Sequence, residues 1–92
     1  MERALALSQD DWVAERLAQA SVTQLMAISG IQSAHVLTLQ NAGIVNLLQL
    51  HQNHQWPLMG ATTDWVREWL DRYVADLALE YNQLRRGALK LV

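Results

Sequence analysis

The sequence predicts an all-α domain, a compact bundle of about five helices. Ser, Thr or Asn residues able to cap a helix stand before successive apolar-periodic segments. Glycines fall where several of those segments end, and no stretch sustains the period-two alternation of a half-buried strand. At 92 residues the chain is read as one domain over 1–92. A chain of this size buries only roughly 60–65% of its unfolded surface, so the core must be thin. With 51% hydrophobic residues, disorder is not expected.

Ser8 followed by Asp11 reads as an N-cap with an acidic first turn. It opens a helix over about 9–20 that places Trp12, Val13, Leu17 and Ala20 on one side. Residues 1–7 read as either a short helix or an arm. Ser21 with Gln24 repeats the cap pattern for a helix through Ser29, and Gly30 suits a left-handed C-terminal position. Ser33 caps the next helix, from Ala34 to Asn41 or Ala42, with Gly43 as its stop. Asn46 starts a further short helix through about Gln52.

Residues 53–62 form the one loop-like region and hold the only Pro. Thr62 or Thr63 then caps a long helix over 64–86. Arg85 and Arg86 complement the dipole of its last turn, and Gly87 closes it. The tail ALKLV reads as helix or as a short extended segment.

Between Ser21 and Thr63 there is no Lys, Arg, Asp or Glu. Exposed surfaces normally mix charges for solubility, so so long a neutral run implies either core residues or a face that a partner covers.

Within that run, LMAISGIQSAHVLTLQNAGIVNLLQL resembles the helix-hairpin-helix family. Leu25, Ile28, Gly30 and Ile31 match the first helix and turn of its pattern, and Val36 and Leu39 the second helix. Gly43, Ile44, Leu47, Leu48 and Leu50 match its trailing segment, so the likeness spans about 21–52. The resemblance implies a hairpin-like core under the long C-terminal helix. It also implies DNA-backbone contact at Gly30, Ile31, Gln32 and Ser33, where backbone N–H groups would meet a phosphate. Arg85, Arg86 and Lys90 would assist if the fold brought them near. Gln32 stands where the family has a second Gly that lets the phosphate approach, and no cation lies between Arg16 and Arg67. DNA contact is therefore the alternative, and protein–protein contact the leading expectation.

In the last helix Val66, Leu70, Tyr73, Leu77, Leu84 and Ala88 recur at helical spacing, flanked by Trp65 and Trp69 on one side and by Val74 and Tyr81 on the other. That arc covers about half the circumference at 100° per residue. Either the helix is buried on two sides, or part of the arc docks a partner or a second copy. The interface candidates are Trp65, Trp69, Tyr73 and Leu79.

A formal charge of -2 offers no global attraction to nucleic acid or anionic lipid. The absence of Cys removes disulfides and thiolate chemistry. No signal peptide is apparent, and no run approaches the ~20 apolar residues of a membrane span, so a cytoplasmic protein is expected. His35, His51 and His54 lack a neighbouring carboxylate or thiol, and no metal or other cofactor is expected. The serines read as caps, and no phosphate-cradling or dinucleotide motif is present, so an enzyme is not expected. These readings describe a non-catalytic adaptor that binds another protein or a second copy of itself, with a DNA-processing or transcription assembly as its setting.

Overall fold

The computed structural model describes residues 7–90, with side chains through Gly87. Helix α1 spans Gln9–Gln19, a 3₁₀ helix Val22–Ala27, α2 Ser33–Asn41, α3 Leu47–Gln52 and α4 Ala61–Lys90. The domain is all-α, with no strand among the described residues. The expected helix or arm over residues 1–7 lies, but for Leu7, outside them.

Local chemistry sets most of the boundaries. The Ser8 hydroxyl accepts from the Asp11 N–H at 3.2 Å, capping α1. The second element is a 3₁₀ helix where an α-helix through Ser29 was expected. Its β-branched Val22 and Thr23 crowd an α-helical turn, and extended Ser21 and Ile28 at its two ends leave room for only six residues. Gly30 then turns the chain at φ +96°.

Helix α2 begins at Ser33 itself, with Gln32 in the cap position, one residue before the expected cap. His35 reaches back so that its Nδ1 accepts from the Gln32 N–H at 3.0 Å. The far end of α2 is a Schellman motif. Ile44 N–H donates to Leu39 C=O and Gly43 N–H to Gln40 C=O, both at 3.0 Å, with Gly43 at φ +87°. Asn46 and Gln49 make a reciprocal capping box on α3. Asn46 Oδ1 accepts from Gln49 N–H at 2.8 Å, and Gln49 Oε1 accepts from Asn46 N–H at 3.4 Å.

Two of these helix starts are fastened back to back. Val22 N–H donates to Val45 C=O at 3.2 Å and Leu47 N–H to Ala20 C=O at 2.9 Å, an isolated antiparallel bridge centred on Ser21 and Asn46. Both residues must be extended to serve as caps, and extended residues have free backbone groups to exchange.

Helix α4 starts at Ala61, three residues before Asp64, and continues through Gly87 to Lys90. Thr63 does not cap it by accepting a bond. Its hydroxyl donates to Leu58 C=O at 3.1 Å, tying the loop to the first turn. Gly87 keeps helical geometry, since a glycine permits a reversal without compelling one. At 1.5 Å per residue, α4 is about 45 Å long and sets the 49 Å long axis of the molecule.

Helix α1 packs on both α3 and α4, and the 3₁₀ helix packs on α2. Leu17, Val22, Leu25, Leu39, Leu47, Leu50 and Val66 are fully buried at the junction, and no polar side chain among the described residues is buried with them. Trp12 meets Tyr81 with ring centroids 5.7 Å apart, and the Tyr81 hydroxyl donates to Leu7 C=O at 2.8 Å. The breadth of the apolar arc on α4 follows from this arrangement. Its C-terminal half faces α1, while its N-terminal half meets the turn at Gly30.

Candidate functional site

Three of the four interface candidates come together on one shoulder of α4. Trp65, Trp69 and Tyr73 follow one another at intervals of four, which advances 40° around the helix at each step. Trp65 is 43% exposed, and its indole rests against Gly30. Trp69 and Tyr73 are half-buried against the core, with ring centroids 5.1 Å apart. Leu79, though 57% exposed, stands about 21 Å further along α4 from Trp65 and belongs to no such group.

Between this shoulder and the 3₁₀ helix lies an open cleft of about 250 Å³, lined by Ile28, Ser29, Trp65, Glu68, Trp69 and Arg72. Ile28, Trp65 and Trp69 give it an apolar and aromatic side, and Ser29, Glu68 and Arg72 make the rest of its lining polar. Arg72 and Glu68 form a 3.6 Å ion pair at the rim, and their side chains are 74% and 75% exposed. A pair so wet contributes little to stability, and its charges stay available to a partner. Ile28, Ser29, Glu68 and Arg72 were not among the sequence candidates. Glu68 and Arg72 stand at i, i+4 spacing on α4, and only the fold shows that their face adjoins the hairpin turn.

The alternative DNA contacts are not assembled. Gly30 turns as expected, but Trp65 occupies the space beside it, and Ile31 is 7% exposed and buried in the core. Gln32 and Ser33 are exposed. Arg85 and Arg86 are also exposed, yet they lie about 30 Å along α4 from the Trp65–Gly30 contact. Lys90 is further still along the same helix, and its side chain lies outside those described. Their assistance at the turn depended on the fold bringing them near, and the length and continuity of α4 hold them apart from it.

The neutral run from Ser21 to Thr63 is only partly taken into the core. Val22, Leu25, Ile31, Val36, Leu39, Ile44, Leu47 and Leu50 are buried, but more than half of the run is exposed. The chain covers less than half of this stretch with itself. Most of what it exposes is Ser, Thr, Asn, Gln, His and Ala, along with the large apolar residues Met26, Leu37, Val45 and Met59. Those four were missed in the sequence. Met26 and Leu37 sit on helices too short for periodicity to separate inner from outer positions, and Val45 and Met59 lie in the connections, where no helical period applies.

His35 Nδ1 is engaged by the Gln32 N–H, and His51 and His54 are exposed at the end of α3. No group of three or more His, Cys, Asp or Glu among the described residues is placed to hold a metal. No helix among them is long and apolar enough to cross a membrane. No protein-family model matches the chain, and no curated protein or solved structure is similar to it at a significant level.

Proposed function

We propose that this chain is a non-catalytic helical interaction module, an adaptor that works through protein–protein contacts in the cytoplasm. The observation that carries the reading is the aromatic cleft where the Trp65–Trp69–Tyr73 shoulder meets Ile28 and Ser29. Half-exposed indoles beside an apolar wall are the groups that dominate protein interfaces once desolvated. A partner inserts an apolar side chain between Trp65 and Ile28 and meets the Glu68–Arg72 pair with charges of its own. The resemblance of residues 21–52 to helix-hairpin-helix proteins suggests a DNA-processing or transcription assembly as the setting. Backbone binding by the hairpin itself is the weaker reading, because phosphate affinity comes from Lys and Arg and none stands on the turn.

Capture from the cell of origin tests this. Nuclease-treated extract is passed over the immobilised chain at about 0.1 M and about 0.5 M salt, a change that screens exposed charges. A protein retained at both, lost with Trp65→Ser and kept with Arg85→Ala/Arg86→Ala, is the expected result. Retention of nucleic acid that falls steeply with salt would establish backbone binding in its place.

A further inference from the structure

A second surface, separate from the tryptophan cleft, lies between the 3₁₀ helix and α2. Thr23 and Met26 form one side of an open groove of about 480 Å³, and Ala34, Val36, Leu37 and Gln40 contribute to the other. Met26 is 51% exposed and Leu37 56%. Val45, 49% exposed, stands at the Thr23 end, since its carbonyl accepts from Val22 N–H.

Three features favour a second copy of the chain as the occupant of this groove. The first is charge, because nothing from Ser21 to Thr63 carries a formal charge. Around a twofold axis every residue near the axis meets its own copy, so a charge there would face itself and repel. A neutral face escapes that penalty. It also offers no electrostatic handle by which a different protein could be steered or selected, and charges brought by such a protein would lose water without gaining a partner.

The second is the outer side of α2, where Ser33, Ala34, Leu37, Thr38 and Asn41 are all exposed. Small side chains around a single leucine allow another helix to come close. The third is shape. The ridge made by Leu37 and the groove beside it lie on the same face, so one copy supplies both the knob and the hole that a twofold contact needs.

We propose that a second copy of this chain docks here, α2 against α2 about a twofold axis, with Leu37 of each copy entering the other's groove between Met26 and Val36. The face is one groove wide, below the size of a standard stable interface, so the dimer forms reversibly with concentration. This goes beyond the adaptor reading and uses a different surface, so either can fail alone. If both hold, the dimer carries two tryptophan clefts.

Sedimentation equilibrium of the full chain tests the proposal over about 10 μM to about 1 mM, spanning micromolar to millimolar dissociation constants. The expected result is a monomer–dimer equilibrium insensitive to added salt. Leu37→Asp should weaken it at least about 100-fold, because its carboxylate would be desolvated without a partner. Leu37→Ser should weaken it less, with both variants keeping the wild-type helical circular dichroism. The chain has no cysteine, so Thr38→Cys should cross-link to its own copy under mild oxidation faster than Met59→Cys on the exposed loop. A single monomer mass over the whole range overturns the proposal. So does a dimer that survives Leu37→Asp at full strength, or one lost only with Trp65→Ser.

Discussion

Trp65 lies over Gly30 so closely that a β-carbon at residue 30 would sit 2.8 Å from Trp65 Cζ3, and the glycine holds φ +96°. This contact joins the hairpin turn to the first turns of α4 and fixes one wall of the aromatic cleft. Gly30→Ala therefore meets two penalties, a left-handed backbone and a displaced indole. It should cost about 1–3 kcal/mol in denaturant unfolding. Gly43→Ala meets only the backbone penalty, because nothing lies within 4 Å of its added carbon, and should cost about 1 kcal/mol. Equal losses at the two positions would mean that Trp65 does not rest on the turn.

Gly87 offers the opposite sign. It sits in helical conformation with open space where a side chain would go. Gly87→Ala should raise stability by up to about 0.5–1 kcal/mol, less if the last turn frays, through helix propensity alone. A lower thermal midpoint for this variant would show that the helix stops at Gly87 after all.

The caps separate two accounts of residues 32 and 33. Asn46→Ala removes the acceptor for Gln49 N–H and should cost about 0.5–2 kcal/mol. Ser33→Ala should cost nothing measurable, because Ser33 is already the first residue of α2 and makes no capping bond. A Ser33→Ala loss as large as that of Asn46→Ala would restore Ser33 as the cap.

Tyr81 fastens residue 7 to α4 through its hydroxyl bond to the Leu7 carbonyl. Tyr81→Phe keeps the ring against Trp12 and deletes the bond, and should lower stability by about 0.5–1.5 kcal/mol. Amide exchange at the start of α1 should quicken in the same variant. Unchanged exchange there would mean that the bond does not hold the segment.

The loop over 53–60 is held by Trp56. Its indole N–H donates to Leu50 C=O at 2.9 Å, and the Arg67 guanidinium stacks 4.7 Å from its ring centroid. Trp56→Phe removes the N–H and should cost about 1 kcal/mol, while Arg67→Ala removes the stacking and should cost about 0.5–1 kcal/mol. The two residues share a ring, so the double variant should fall short of the sum. Strict additivity in a double-mutant cycle would show that the stacking is not formed.

Where a boundary rests on a few neighbouring residues, it was legible in the chain itself. Ser8, Gly43 and Asn46 do what their positions announced, because a cap or a left-handed turn depends on bonds only three to five residues long. Ser33 was misread because a hydroxyl before a helix is not evidence that it bonds. The His35 ring supplied the acceptor at that helix start in its place. Gly87 was misread for a related reason, since a glycine permits a turn without compelling one. Of the candidate site, the sequence showed the aromatic shoulder but not the Ile28–Ser29 wall opposite it, because the two sides lie more than thirty residues apart.

By itself, then, the amino-acid order determined an all-α chain, most of its helix punctuation, and a long central stretch without charge. Which residues of that stretch are covered and which face water was decided only by tertiary packing. Periodicity on a helix of six or nine residues marks an apolar side without saying how many neighbours will arrive to bury it. Distance was decided the same way. One unbroken helix keeps Arg85 and Arg86 about 30 Å from the turn that they could have served only if the fold brought them near, and the same helix brings Trp65 onto Gly30.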